Sequence, residues 1–130
     1  MKISAGLWID HKQAVLVFVE NTAEIIKHIR SGIEKSRRKS GVSIPADDVR
    51  QRELTSHLNV FYDEVAAALK CSKRILLMGP GEAKGELQKR LELVPLPGRE
   101  ITVETTDKMT EPQIVAKVKD YFRQQRRTFP

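Results

Sequence analysis

The spacing of apolar residues changes once along the chain, near residue 45, and this change restricts the folds that the sequence can adopt. Before it, three short apolar segments lie at Ala5–Asp10, Gln13–Glu20 and Ala23–Arg30, with only two residues between neighbours. Gaps of this length are typical of β-hairpins, so the segments predict an antiparallel meander of three strands.

Beyond residue 45, stretches with helical spacing alternate with short apolar strands. The sequence predicts three helices, running from residue 45 to about Lys70, over about Ala83–Leu93, and from Thr110 onward. Apolar residues recur in them every three or four positions, which places those residues on one face of each helix. Two predicted strands, Arg74–Met78 and Glu100–Thr105, separate the helices. The predicted order of elements is therefore βββαβαβα.

The composition of the strands predicts their positions within one sheet. The second and fourth strands are apolar throughout and are expected in the interior, whereas polar residues on the third and fifth suit the sheet edges. With the first strand between the second and the fourth, the predicted order is 3-2-1-4-5, with helices on both faces and right-handed crossovers. We therefore predict an α/β fold of ribonuclease-H-like architecture, built on a five-stranded mixed sheet.

Positive charge is concentrated in one part of the chain. The 130 residues include 23 lysines and arginines against 17 aspartates and glutamates, a formal charge of +6. Most of this excess lies in a single segment that contains Lys27, Arg30, Lys35, Arg37, Arg38 and Lys39, with Glu34 as its one acid. Such a cluster is typical of a surface that binds nucleic-acid phosphates, although a solvated loop has the same composition. Because the segment holds no Phe, Tyr or Trp, we expect contacts to phosphates rather than stacking on bases.

Other features of the composition restrict the function further. The single cysteine, Cys71, allows neither an internal disulfide nor a zinc site built from cysteines. The longest apolar run, Ala14–Val19, is too short to cross a membrane. We expect a cytoplasmic chain that forms one domain over residues 1–130, with a basic loop at 31–44, a basic C-terminal tail at 123–130 and no cofactor or metal.

A glycine-rich link joins the fourth strand to the second helix. Gly79-Pro80-Gly81, followed by Lys84, could hold a phosphate on free backbone amides at the start of a helix, or could simply reverse the chain. The link matches neither the P-loop nor the dinucleotide-binding pattern, because Gly85 follows Lys84 and Lys84 stands where a third glycine is required. We expect a tight turn, with phosphate binding as the alternative.

Four acidic residues define an enzymatic alternative. Ribonuclease-H-like enzymes cleave phosphodiesters with two metal ions held by clustered carboxylates. Asp10 ends the first strand and Glu53 lies on the first helix, while Glu82 and Asp107 lie on later loops. The fourth strand ends without an acid, which would leave two divalent ions poorly held. We therefore expect Asp10 to be a turn residue, and a divalent-metal-dependent nuclease remains the alternative.

The succession of segments resembles a known family. Four consecutive segments together resemble the middle domain of archaeal and eukaryotic peptide-chain release factors and of Pelota. They are the stretch AGLWIDHKQAVLVFVENTAEIIKHIRSG, a basic loop, a helix ending in HLNVFYDEVAAAL, and RILLMGPGEAKGELQKRLE. The resemblance runs from about Ala5 to Thr105 and implies a ribonuclease-H-like fold and a role in translation. The chain also resembles small bacterial proteins related to components of the translation machinery.

The resemblance stops at the motif that carries catalysis in release factors. In that family the loop before the long helix holds Gly-Gly-Gln, which acts at the peptidyl-transferase centre, whereas Lys35–Ile44 holds one glycine and no glutamine. Pelota-like proteins also lack the motif and act without hydrolysis. The resemblance thus implies a noncatalytic module whose partner is the ribosome, ribosomal RNA or tRNA. A homo-oligomer formed through an edge strand, Ala23–Arg30 or Glu100–Thr105, is a further alternative.

Overall fold

The computed structural model describes residues 3–20, 23–32, 47–94 and 96–128, excepting the side chains of residues 3, 47–55 and 124–128. Within these ranges the strands and helices follow one another as βββαβαβα, the order that the sequence predicts. They are β1 (Ile3–Ile9), β2 (Gln13–Glu20), β3 (Ala23–Arg30), α1 (Asp47–Ala68), β4 (Ser72–Gly79), α2 (Ala83–Glu92), β5 (Glu100–Thr105) and α3 (Glu111–Thr128).

The five strands of the described residues form one sheet in the order β3-β2-β1-β4-β5, which confirms the predicted arrangement. β1 pairs with β2 and β2 with β3 in antiparallel registers, whereas β4 lies parallel to β1 and β5 parallel to β4. Trp8 marks the central position of β1, because it pairs with Val15 on one side and Met78 on the other. β2 and β4 lie in the interior, as their apolar composition predicts.

Helices cover both faces of the sheet, and successive residues of β1 enter different cores. Leu7 is buried beneath α1 and α2, together with Phe61, whereas Trp8 is buried beneath α3, together with Val118. Burial of side chains of this size contributes about 1.5–3 kcal/mol each. Gly6 lets α3 approach β1, since a Cβ atom at that position would lie 2.3 Å from Cγ2 of Val118. None of the described helices has a stretch long and apolar enough to span a bilayer.

The structure corrects several of the predicted boundaries. β1 begins at Ile3 rather than Ala5 and ends at Ile9, so Asp10 follows the strand instead of ending it. β4 begins at Ser72 rather than Arg74, because its pairing with β1 continues to the pair Ile3–Ser72. α3 continues through Thr128, whereas the sequence pattern predicts a basic tail from residue 123. Arginine and glutamine are good helix formers, and cations near the carboxyl end of a helix are favourable to its dipole. The basic residues at the end of the chain therefore extend the last helix.

Arg99 connects the ends of several elements at one side of the sheet. Its guanidinium donates hydrogen bonds to four backbone carbonyls: Ser72 (3.1 Å), Val94 (3.0 Å), Leu69 (3.2 Å) and Lys70 (2.8 Å). Carbonyls at the end of a helix lack partners within it, and a cation there also interacts favourably with the helix dipole. Arg99 thus closes the ends of α1 and α2 and fixes both to the start of β4.

Replacement of Arg99 by methionine is expected to lower the free energy of unfolding by about 3 kcal/mol, because hydrogen bonds to charged groups contribute at least about 1.5 kcal/mol each and two of the four, to Ser72 and Leu69, are partly buried. At the exposed carbonyls of Val94 and Lys70, water can replace the lost donor. Arg99→Lys should recover only part of this loss, since an ammonium lacks the planar fork that reaches several acceptors at once. Urea unfolding followed by circular dichroism measures both variants. If Arg99→Met unfolded with the same free energy as wild type, the expectation would be contradicted, because water would then satisfy the four carbonyls as well as the guanidinium does.

Candidate functional site at the carboxyl edge of the sheet

The carboxyl ends of four strands lie along one edge of the sheet. β1, β4 and β5 are parallel, and β3 runs in the same direction as β1 because both are antiparallel to β2. The segments that follow these strands therefore meet at this edge, which we call the carboxyl edge. Ligand sites of open α/β sheets generally lie at such an edge. The carboxyl edge is the candidate site of this chain.

Asp10 forms the turn between β1 and β2 at this edge. Its Oδ1 accepts hydrogen bonds from the backbone amides of Lys12 and Gln13, each at 2.8 Å, while its own amide donates to the Gln13 carbonyl at 3.0 Å. Asp side chains stabilise turns through bonds of this kind. These contacts agree with the prediction that Asp10 is a turn residue.

The glycine turn after β4 packs directly against the end of β1. Gly79 has a φ of +149°, and a Cβ atom there would lie 2.1 Å from the Ile9 carbonyl oxygen. Gly81 has a φ of +65°, also in the region that favours glycine. Lys84 is buried, and its ammonium donates to the Gly81 carbonyl at 2.5 Å. The ammonium of Lys84 therefore contacts the backbone of its own turn, and phosphate binding by this turn stays a prediction.

Tyr62, a buried residue of α1, has a polar partner that sequence patterns do not indicate. The Tyr62 hydroxyl donates to Oε2 of Glu86 at 2.5 Å, and Nε2 of His11 lies 4.0 Å from the same oxygen. Burial raises the pKa of Tyr62 far above its ordinary value, and the hydrogen bond to Glu86 and the charges of Glu86 and Asp10 raise the pKa further. Tyr62 therefore stays protonated and holds α1 against α2.

The alkaline stability of the chain should reflect this protonated tyrosine. Above the ordinary tyrosine pKa of 10, the folded chain keeps the Tyr62 proton while the unfolded chain releases it. Stability then falls as the pH rises, because the native state binds more protons than the unfolded state. Tyr62→Phe should be less stable than wild type by about 1–2 kcal/mol near neutral pH, where the hydrogen bond is lost.

The difference between the two proteins is expected to narrow above about pH 10, because only wild type loses the tyrosine contribution there. Urea unfolding of both proteins at about pH 8 and about pH 11 tests this expectation. A difference that stays constant or widens with pH would contradict it.

The acids of the metal-site alternative occupy different positions around the edge. Asp10 serves the hairpin, and Glu82 precedes α2 without a side-chain capping bond. Asp107 lies after β5, where its backbone carbonyl accepts a hydrogen bond from Nε1 of Trp8 at 3.1 Å. The side chain of Glu53 lies outside the described residues. Across the described part of the chain, no group of three or more His, Cys, Asp or Glu residues could hold a metal ion.

Only part of the basic cluster falls within the described residues. Lys27 and Arg30 are both exposed on β3, but they stand three positions apart on a strand and therefore point to opposite faces of the sheet. They cannot form one continuous contact surface by themselves. The other members of the cluster lie outside the described residues: Lys35, Arg37, Arg38 and Lys39.

Several solved structures are similar to this chain. A Pelota protein of Thermoplasma acidophilum aligns with a TM-score of 0.55 and 15% sequence identity, over 91% of this chain and 32% of that chain. Pelota of Archaeoglobus fulgidus aligns with a TM-score of 0.57 and 17% identity, over 91% of this chain and 31% of that chain. S. cerevisiae Dom34 is described as a translation termination-like factor that is involved in RNA quality control pathways and interacts with Hbs1. It aligns with a TM-score of 0.50 and 12% sequence identity, over 96% of this chain and 36% of that chain.

These similarities concern the fold, because the sequence identities are low. A scan against protein-family models and a search of curated proteins return no match. The chain spans about a third of the length of the Pelota proteins that it matches. The alignments cover 91–96% of this chain. The chain therefore has the α/β fold of a domain of the Pelota type, as its sequence resemblance to Pelota implies.

Proposed function

We propose that this chain is a noncatalytic module of translation that binds ribosomal RNA or tRNA on the ribosome, in the cytoplasm. In this proposal the basic loop at 31–44 contacts phosphates, chiefly through Lys35, Arg37, Arg38 and Lys39. The observation that carries the proposal is the shared fold with Pelota and Dom34, the latter described as a translation termination-like factor. A shared fold alone does not define a function, so the proposal also rests on the charge of this chain.

The basic loop begins at the carboxyl edge of the sheet, and this position supports an anionic partner there. β3 ends at Arg30 on that edge, and the Ser31 amide donates to the Lys12 carbonyl at 2.9 Å beside the Asp10 turn. α2 and α3 follow the carboxyl ends of β4 and β5, so both helices begin at the same edge. Helix amino termini carry partial positive charge, which adds to that of the loop.

Phosphate contact is assigned to the loop rather than to the glycine turn. The carboxylates of Asp10 and Glu86 lie beside that turn, where they would repel a phosphate, and Lys84 already donates to the Gly81 carbonyl. Six basic residues against one acid make the segment from Lys27 to Lys39 the strongest local positive charge in the sequence. Contacts of this kind give affinity that depends on salt rather than on base sequence.

The absence of the Gly-Gly-Gln motif supports binding without hydrolysis. The segment Lys35–Ile44 has one glycine and no glutamine, so it cannot present the group that release factors use. We propose that the chain occupies its site without cleaving peptidyl-tRNA. Release of peptide from a programmed ribosome by the purified chain would contradict this part of the proposal.

Co-sedimentation with purified ribosomes tests the proposal directly. The wild-type chain should pellet with ribosomes at low salt and return to the supernatant at high salt, because its contacts are to phosphates. The same run with ribosomes omitted controls for pelleting of the chain alone. A chain that stays in the supernatant at every salt concentration would overturn the proposed partner.

A further inference from the structure

The outer edge of β3 offers a row of backbone groups for pairing. The Ser31 amide donates to the Lys12 carbonyl, so residue 31 directs its backbone toward β2. Backbone direction alternates along an antiparallel strand. Glu24, Ile26 and His28 therefore direct their amides and carbonyls away from β2, and among the described residues only β2 pairs with β3. Exposed edges of this kind are templates for pairing with another chain.

The side chains of these residues form a row that is complementary to the same row of a second, antiparallel copy. Glu24, Ile26 and His28 all lie on the α3 side of the sheet, where Lys119 contacts Glu24 at 2.5 Å and Glu111 contacts His28. Ile26, which is 38% exposed, lies between these two polar residues and beside an open groove against α3. The row therefore reads acid, isoleucine, histidine along the strand.

A second copy of this chain fits that row when the two strands are centred on Ile26. A two-fold axis through Ile26, perpendicular to the sheet, places Ile26 opposite Ile26 and Glu24 opposite His28 twice. The imidazole of each His28 then stands between two carboxylates, that of its own Glu111 and that of the partner's Glu24, and carboxylates accept hydrogen bonds from imidazole N–H groups. A shift of the axis to Lys27 would place two lysines face to face, and like charges directly opposite one another are destabilising.

We infer that two copies of this chain associate through antiparallel pairing of their β3 strands about Ile26, to give a continuous ten-stranded sheet. The apolar groove that Ile26 lines with Pro112, Val115 and Ala116 supports this, because the two grooves would meet at the axis. Pairing supplies partners for the outward backbone groups of both copies, and burial of Ile26 adds apolar contact.

The mass of the chain in solution tests this inference. By analytical ultracentrifugation over micromolar to millimolar concentrations, wild type should shift from 14.8 kDa to twice that mass. Ile26→Lys should remain at the monomer mass, because it places two ammonium groups at the axis. Val60→Lys is the matched control: Val60 is 65% exposed on α1, so this variant adds the same charge and should dimerise like wild type.

Three results would overturn the inference: a monomeric wild type at millimolar concentration, dimerisation of Ile26→Lys, or loss of the dimer in Val60→Lys. Amide hydrogen exchange gives a second readout that does not depend on any variant. The amides of Glu24, Ile26 and His28 should gain protection as the concentration of wild type rises. Unchanged exchange at these three positions in a dimer would locate the interface elsewhere and would contradict β3 pairing.

Discussion

Replacement of Gly79 by alanine is expected to lower the free energy of unfolding by about 2–5 kcal/mol. A Cβ atom at this position would lie 2.1 Å from the Ile9 carbonyl oxygen, and that oxygen belongs to the backbone of the central strand β1. Overpacking typically costs about 1–3 kcal/mol, and a left-handed backbone adds about 1–2 kcal/mol for a residue with a Cβ. A flexible side chain could move aside, but the backbone of β1 is held by neighbours on both sides.

Two other glycines of the same segment provide matched controls. Gly81 has a φ of +65° with no atom within 4 Å of an added Cβ, so Gly81→Ala should cost only the backbone term of about 1–2 kcal/mol. Gly85 lies within α2 with the same open space, so Gly85→Ala should be neutral or stabilising by up to about 1 kcal/mol. In urea unfolding, the loss in the free energy of unfolding should be largest for Gly79→Ala, smaller for Gly81→Ala and absent for Gly85→Ala. Equal effects at Gly79 and Gly81 would contradict the role of the Ile9 contact.

The order of elements could be predicted from the sequence because each signal is local. Two-residue gaps indicate hairpins between β1, β2 and β3, and the helical spacing beyond residue 45 needs no knowledge of distant parts of the chain. The strand order also follows from composition, since β2 and β4 are too apolar for a sheet edge. These predictions are confirmed by the sheet.

The contacts of Arg99 and Tyr62 could not be predicted from local patterns. Arg99 is separated by 27–30 residues from three of its four carbonyl partners, and Tyr62 by 24 residues from Glu86. Such pairs become neighbours only once two helices are placed on the sheet. At Gly79 the sequence indicates a turn, but the contact with Ile9 depends on the register between β1 and β4.

The face of the sheet on which a strand residue lies can, in contrast, be predicted from the sequence, because side chains alternate between the two faces. Lys27 and Arg30 belong to one run of basic residues, yet their spacing along β3 places them on opposite faces of the sheet. The net charge of this sequence segment is therefore larger than the charge on either face of the sheet, because these two residues do not share a face. The proposed phosphate contacts consequently rest on the loop residues Lys35, Arg37, Arg38 and Lys39.

Alanine replacement of all four loop residues, Lys35, Arg37, Arg38 and Lys39, is expected to weaken ribosome binding by about 10–100-fold at moderate salt. Each basic contact to a phosphate releases counterions, so its removal lowers the salt slope of the binding constant by about 0.7–1. Loss of four contacts should therefore reduce the slope by about 3. The free energy of unfolding should change little, because the substitutions leave the described core intact.

A control variant with the same loss of charge separates loop contact from net charge. Lys70, Lys73, Lys89 and Lys119 lie outside the basic cluster, on α1, β4, α2 and α3 or directly after them. Their replacement by alanine also removes four positive charges but leaves the loop unchanged. It should retain most of the wild-type affinity and most of the salt slope.

The measurement that tests the central claim most directly is the dissociation constant for ribosomes, determined over a range of salt concentrations for wild type, the loop variant and the control variant. The proposal predicts a steep salt dependence for wild type and for the control variant, and a weak affinity with a shallow slope for the loop variant. Equal affinities and equal slopes in all three proteins would contradict binding through the basic loop.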